Sequence, residues 1–427
     1  MLRYYNDVMA RSRFFPFAAG LSRRSLLLGA GAFASGFFAN SVMLAAQPPA
    51  FARWVANFRS RALARGISEQ TYDRVMSNVT PDTSVYALFS AQPEVTELLW
   101  QYINRRCSEW RVITGKARAK EYAGLFTRIE KDYGVDRYIL LGLWGMESSF
   151  GDVMTNPKYM RPIIPALAAL AWGEPRRRKY WEAELLNALI LVDRDWAKPE
   201  EMVGSWAGAM GHTQWMPEVW LNMGVDYDGD GRATPFGKPD DSLAGTARYL
   251  VERGSYRRGE AWGCEVTVQS AHLRLAKSRA MRPYAKWKEL GVHRADGAAF
   301  ARPGDQARLW IPVADGPAFL IGQNFRAVHS YNPSTSYALA LCHLGDLIRG
   351  DPPFRQQFPG GERAPTLEEV KEIQRRLNEH GFRTDGIDGR TGADTVRAII
   401  AFQKKVGMEP ADGYAGLKLL ARLRQGP

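Results

Sequence analysis

At 427 residues, 45% of them hydrophobic and 24% charged, the chain is long enough for two or three folding units and too apolar to be disordered throughout. Its net charge of +12 suits an anionic partner, whether nucleic acid, lipid or an acidic polymer, without choosing among them. Three cysteines (Cys107, Cys264 and Cys342) exclude a disulfide-built scaffold, show no zinc or redox spacing and allow at most one bridge within a monomer.

The chain opens with Arg3, Arg11 and Arg13, then Ser22-Arg-Arg-Ser-Leu-Leu-Leu28 and an apolar stretch to about Leu44. Ala45-Ala46 before Gln47-Pro48-Pro49 offers a small-residue cleavage site, so residues 1–46 read as an export signal of the twin-arginine type. An ordinary secretory signal or an uncleaved anchor is the alternative. No cysteine stands at the cleavage site and no later apolar run can span a bilayer, so no stable membrane anchor is expected and the mature chain is placed in the bacterial periplasm. The signal holds five Arg and one Asp, which leaves +8 on the remainder. An exported protein meets little nucleic acid, so the acidic cell wall is the expected partner and nucleic acid is not.

Residues 47–349 form the main domain, mostly helical, with apolar residues recurring at three- and four-residue steps in Phe51–Phe58 and Tyr180–Val192. Within it, residues from about 256 to 325 read as a strand-containing insertion, since Glu265-Val-Thr-Val-Gln alternates and Ala307–Val313 has strand character. Helix returns at Ser336–Arg349. Four Pro and three Gly among residues 350–365 mark a linker. Residues 366–427 then form a separate small helical unit. Cys342 falls in a helical apolar pattern and is expected in the core.

Glu147, in Leu143-Trp-Gly-Met-Glu-Ser-Ser-Phe-Gly151, shares a helix face with Leu143 and Trp144 and is the only charged group between Arg137 and Asp152. A carboxyl held among apolar side chains resists ionising and can donate a proton near neutral pH; the alternative is an exposed helix-end Glu bonded to Ser148. Gly204-Ser-Trp-Ala-Gly-Ala-Met-Gly-His-Thr-Gln-Trp-Met-Pro217 brings small residues together with Trp206, Trp215 and Gln214, which suits sugar stacking and hydrogen bonding as well as a tight packing loop. Ser330-Tyr-Asn-Pro-Ser-Thr-Ser-Tyr337 places polar groups ahead of a helix, where they serve either a ligand or a cap. Asp226-Tyr-Asp-Gly-Asp-Gly-Arg232 reproduces the first seven positions of an EF-hand loop, Arg232 standing at the backbone-carbonyl position, whereas Gly237 stands where the closing Glu belongs. A metal-free Asp-Gly turn is the alternative there. The six histidines show no metallopeptidase spacing.

Taken in order, these segments resemble the lytic murein transglycosylases of the membrane-bound type B, over about Phe51 to Arg349. The resemblance implies a mainly α fold: a lysozyme-like helical catalytic core with a small strand-containing insertion. It implies Glu147 as the catalytic acid and then base, with Ser148, Ser205, Met210, Gln214, Tyr331, Asn332 and Tyr337 around the substrate. It further implies cleavage of the MurNAc-GlcNAc β-1,4 bond of peptidoglycan to 1,6-anhydro ends, and a structural Ca2+ held by Asp226, Asp228, Asp230, Arg232 and, as the later closing residue, Asp241. No organic cofactor is expected. Gln374, Leu377, Gly381-Phe382, Asp388-Gly389, Thr395 and Phe402-Gln403 similarly resemble a three-helix peptidoglycan-binding module of domain 1 type. Two other readings stay open: a lysozyme-type hydrolase, which needs a second carboxylate such as Glu218, and a non-catalytic wall-binding or scaffold protein.

Overall fold

A computed structural model describes residues 48–90, 97–157 and 159–426. The expected export signal lies outside them. Among the described residues no helix is long and apolar enough to cross a membrane.

Helices α1 (Pro49–Ala64), α2 (Glu69–Met76) and α3 (Val85–Ser90) precede α4 (Leu99–Arg106), α5 (Glu109–Glu121), α6 (Ala123–Tyr133) and α7 (Arg137–Ser148). A short antiparallel pair, β1 (Arg161–Pro162) and β2 (Val203–Gly204), brackets α8 (Ile163–Gly173) and α9 (Arg178–Asp193). Then come α10 (Pro217–Met223) and α11 (Asp240–Glu252). The insertion is an antiparallel sheet in the order β4-β6-β7-β3-β5, made of β3 (Gly263–Thr267), β4 (Arg282–Pro283), β5 (His293–Arg294), β6 (Gln306–Trp310) and β7 (Ala318–Ile321). Helix α12 (Tyr284–Glu289) lies in its connections and contributes Tyr284 and Trp287 to its core. Helices α13 (Gln323–Tyr331) and α14 (Thr335–Arg349) return to the main domain, and α15 (Leu367–Glu379), α16 (Ala393–Lys405) and α17 (Leu417–Arg424) make the terminal module. The fold is thus mainly α with a small sheet, as the resemblance implies.

Beside the insertion's own core, two larger apolar cores fill the helical part of the main domain among the described residues. One joins residues of α4, α6, α7, α11, α13 and α14; the other joins α1, α2, α8 and α9 with Met210, Trp215 and Trp220. Each fully buried Leu, Ile or Phe in them contributes roughly 1.5–3 kcal/mol relative to exposure, less its ordering entropy. Where the cores meet, α7 ends at Glu147-Ser148.

Helices α7 and α14 run antiparallel in unusually close contact, and glycine allows it. A Cβ on Gly142 would stand 2.5 Å from the Leu341 carbonyl oxygen, and one on Gly345 would stand 2.5 Å from that of Tyr138. Asp136 starts α7 by accepting the Tyr138 N–H at 2.8 Å, and Ser334 starts α14 by accepting that of Tyr337. The crossing therefore brings the end of one helix, with Glu147, to the start of the other, with Tyr337.

The Pro- and Gly-rich segment 350–365 has no helix or strand, yet it is fastened down. Glu265 of β3 accepts the N–H groups of Arg355 and Gln356, each at 2.8 Å, while Phe354 stacks on His343 with ring centroids 3.7 Å apart. In the module a single joint occurs twice. Gln374 binds Asp388 Oδ1 (3.0 Å) and accepts the Gly389 N–H (2.8 Å); Gln403 binds Asp412 Oδ1 (2.9 Å) and accepts that of Gly413 (2.8 Å). Each Gln thereby locks one Asp-Gly turn onto a helix. The three cysteines are free thiols, with Cys107 and Cys342 buried.

Candidate active site

Glu147 sits in the last turn of α7, half-buried, with Leu143 and Trp144 behind it in the core. Its carboxylate accepts a hydrogen bond from the Tyr337 hydroxyl. Burial pushes the carboxyl up to about 7, against the opposing pull of the Tyr337 hydrogen bond and of the Arg106 charge. Tyr337 and Tyr331 are themselves held well above the ordinary phenol range, first by burial and then by the Glu147 charge. A carboxyl protonated near neutral pH, with one open edge, is equipped to donate a proton.

The turn after Glu147 is forced. Ser149, Phe150 and Gly151 all have positive φ, at 53°, 61° and 90°. Ser148 makes this possible: its hydroxyl donates to the His212 carbonyl (2.6 Å) and accepts the Gly151 N–H (2.9 Å). With no exposed surface and both roles taken inside the protein, Ser148 joins α7 to the Gly204–Pro217 segment rather than facing a ligand. His212 adds a second tie. Its Nδ1 accepts from Trp144 Nε1 (3.2 Å) and its Nε2 lies 2.8 Å from the Gly237 carbonyl, so the ring is neutral with the proton on Nε2. Burial, the first cause, holds its pKa down, consistent with that state.

The Gly204–Pro217 segment is a tight fold in which the Met210 backbone exchanges both bonds with Trp215 at 2.8 Å. Met210 and Trp215 are fully buried, and the Trp215 indole donates to Thr246 Oγ1 (3.1 Å). Of the two readings that the sequence leaves open for Trp215, sugar stacking or close packing, its burial fits the second. Trp206 is half-buried against Phe89. Ser205 turns its hydroxyl to the Ala209 N–H (3.1 Å). Gln214 keeps a strained φ of 55° and donates to the Gly211 carbonyl (3.0 Å), leaving its carboxamide oxygen without a partner among the described residues. Tyr331, at the end of α13, donates to the Thr213 carbonyl (2.5 Å) and so ties α13 to this segment. Asn332 follows it, half-buried, with no side-chain hydrogen bond among the described residues.

Other carboxyls near this region are engaged. Glu218 makes a two-pronged ion pair with Arg253 (2.8 and 2.6 Å), and Glu184, also pushed up to about 7 by burial, accepts the Glu218 N–H at 3.0 Å. A cavity of about 660 Å³ lined by Asp136, Trp262, Asp346 and Arg349 opens at the far end of α7 and α14, away from Glu147.

In the Asp loop, oxygens of Asp226, Asp228 and Asp230 lie within 4.8 Å of one another. Asp226 accepts the N–H groups of Gly229 (2.9 Å), Asp230 (3.1 Å) and Gly231 (2.9 Å), and Lys238 pairs with Asp228 at 3.1 Å. Asp241 is buried and bridges the loop, accepting from Tyr227 N (2.7 Å) and Thr234 N (3.0 Å). The Arg232 side chain turns away to Glu201 (2.9 Å), so only its backbone carbonyl can serve a cation.

The transglycosylase SLT domain family matches residues 50–346, and a peptidoglycan binding domain matches residues 366–423. The chain belongs to the transglycosylase SLT domain family. It is 27% identical over 288 residues to the membrane-bound lytic murein transglycosylase B of Escherichia coli, a match covering 64% of this chain and 73% of that one. Among solved structures it is similar to SltB3 of Pseudomonas aeruginosa, crystallised with NAG-anhNAM-pentapeptide: 37% identity, TM-score 0.68, 88% of this chain and 100% of that one. The calcium complex of the Escherichia coli lytic transglycosylase Slt35 is similar at 25% identity and TM-score 0.57, over 70% of this chain and 93% of that one.

Two residues of this SLT domain escaped the sequence reading. Tyr102 and Arg106 stand one turn apart on α4, the Arg106 guanidinium 5.2 Å from the centre of the Tyr102 ring. Arg106 lies close enough to Glu147 to favour its ionised form. Polar residues at i and i+4 look like any solvated helix face, and nothing in the sequence linked them to an acid some forty positions away.

Proposed function

We propose that the chain is a lytic transglycosylase of peptidoglycan that cleaves the MurNAc-GlcNAc β-1,4 bond and leaves 1,6-anhydro-MurNAc ends. One observation carries this reading: Glu147, raised by burial and bonded by Tyr337, stands ready to donate a proton, whereas Glu218, the second carboxylate that a hydrolase would call on, is tied up in its ion pair with Arg253. Hydrolysis by two carboxylates needs that second group. Glu147 gives its proton to the glycosidic oxygen as the bond to muramic C1 breaks, and the GlcNAc leaves as an alcohol. The muramic C6 hydroxyl then attacks C1 while its proton passes to the Glu147 carboxylate, which regains its acid form. No water is consumed. Tyr337 steadies the carboxylate between the two transfers, and the free groups of Gln214 and Asn332 suit the amides and hydroxyls of the sugars.

The terminal module keeps the enzyme on an insoluble wall and raises its local concentration there. The arginine-led apolar segment at residues 1–46, read as an export signal, supports a periplasmic site for this work. Fragments released from purified sacculi distinguish the outcomes by mass: anhydro-muramic ends are one water lighter than reducing ends. The former are expected, and reducing ends would return the chain to the hydrolases.

We also infer that the Asp loop takes a structural Ca2+. Three clustered carboxylates and the Arg232 carbonyl are hard oxygen donors of the right class; Asp241, expected from the sequence as the closing ligand, instead has each carboxylate oxygen on a loop N–H and braces the loop from behind. His212 bonds the Gly237 carbonyl of the same loop, so bound calcium would stiffen the support of α7. At a hundred-fold excess over Kd a ligand adds about 2.7 kcal/mol, or roughly 5 °C in Tm for a domain this large. Calcium should raise Tm in a thermal melt, a chelator should reverse it, and Asp228→Asn should abolish the difference. A melt indifferent to calcium in the native chain would make the loop a plain turn.

A further inference from the structure

The terminal module is packed against the helix that faces the acid. Asn104 Nδ2 of α4 donates to the Tyr414 hydroxyl (3.0 Å), Gln101 Nε2 donates to Asp412 (2.7 Å), and the Trp100 and Tyr414 rings meet edge-on at 5.0 Å. At 100° per residue, Trp100, Asn104 and Gln101 lie at about 0°, 40° and 100° around α4, and Tyr102 and Arg106 at about 200° and 240°. One side of this short helix thus holds the module and the opposite side holds the two residues beside Glu147.

A second contact reaches the turn beyond the acid. Arg390, in the Asp388-Gly389 turn of the module, pairs with Asp152 at 2.5 Å and lies 4.3 Å from the centre of the Trp110 ring on α5. At the neighbouring end of α5, Glu109 accepts the Leu367 N–H (2.5 Å). Meanwhile the Arg106 Nε is buried without a hydrogen-bond partner among the described residues, and the guanidinium lies over the Tyr102 ring of the same helix, so the placement of α4 carries both groups together.

We propose that the docked module is a working part of the active site: by clamping the outer side of α4 and the turn after Glu147 it positions Tyr102 and Arg106 beside the acid, and undocking it slows the reaction itself. This rests on the transglycosylase reading above. A module that is only a tether would affect attachment to the wall and nothing else.

The test uses the full chain and a soluble, uncrosslinked glycan fragment, for which attachment is irrelevant. Arg390→Glu, which sets two acids against each other at Asp152, should lower kcat on the fragment about five- to ten-fold, the scale of an ordinary coupling between sites. Adding Asp152→Arg restores the ion pair in reverse and should recover most of the loss, which a misfolded module would not permit. Amide hydrogen exchange over residues 99–106 should quicken in the single variant and return in the double. Unchanged kcat with unchanged exchange along α4 overturns the proposal. Should the native chain fail to make anhydro ends, the reaction assignment falls, while the exchange measurement still decides whether the module holds α4.

Discussion

Glu147→Gln should reduce release of glycan fragments from sacculi by at least about a thousand-fold, within the range expected when a positioned acid is removed. The amide keeps the shape of the side chain and can still accept from Tyr337, but it has no acidic proton to give and, on the proposed mechanism, cannot take one from the C6 hydroxyl. In the native chain the same group should govern the pH profile. Because the carboxyl must be protonated to start the reaction, kcat/KM should be level below pH 7 and fall about ten-fold per unit above it, the midpoint near the value of about 7 that burial imposes. A profile that rises through pH 7 would assign the acid to another residue.

The same substitution carries an opposite prediction for stability. The folded-state pKa of Glu147 is raised above the ordinary 4.5, so between these values the unfolded chain ionises while the folded one stays protonated. Folding is therefore progressively penalised as pH rises from 4.5 to 7, by roughly 1–3 kcal/mol at the top of that window. Glu147→Gln removes the penalty and should melt higher than the native chain at pH 7.5, with the gap closing near pH 4.5. An inactive variant that is more stable than its parent cannot owe its inactivity to misfolding.

Glu147 stands out in the sequence because a single carboxylate inside an apolar helix is conspicuous, and the Gly204–Pro217 run because small residues and Trp rarely crowd together without a close-packed turn. What the run does was only half legible. Composition made Trp215 and Trp206 equal candidates for stacking, but the Met210–Trp215 backbone exchange turns Trp215 into the core. Likewise Ser148 reads as a polar neighbour of the acid, and only the approach of His212, 64 positions later, reveals it as a joint. The pairing of Glu218 with Arg253 across 35 positions was out of reach for the same reason: it depends on how α10 and α11 pack, not on local pattern. In the insertion, β4 and β5 are two-residue strands, too short to leave a period-two signature, whereas the alternating burial of Gln306–Trp310 did leave one. The segment 350–365 was read from its Pro and Gly as a connector. Its attachment through Glu265 turns on one carboxylate meeting two consecutive N–H groups, which no composition foretells.

Tyr337→Phe should slow the reaction about ten- to a hundred-fold and move the pH limb upward. The hydroxyl donates to Glu147 and favours its ionised form, the form produced when the proton is handed to the glycosidic oxygen. A hydrogen bond to a charged group contributes about 1.5–3 kcal/mol, and without it the carboxyl is a weaker acid at the moment of transfer. The same loss raises its resting pKa, so the falling limb of kcat/KM should shift from near 7 toward higher pH even as the plateau drops. These two effects have opposite signs at pH 8, where more of the variant is protonated, so the deficit there should be smaller than at pH 6. A merely structural Tyr337 would depress the rate equally at every pH. A limb that stayed in place or moved down would mean that Tyr337 does not stabilise the carboxylate, and the single-acid mechanism would need another partner to hold Glu147 between its two proton transfers.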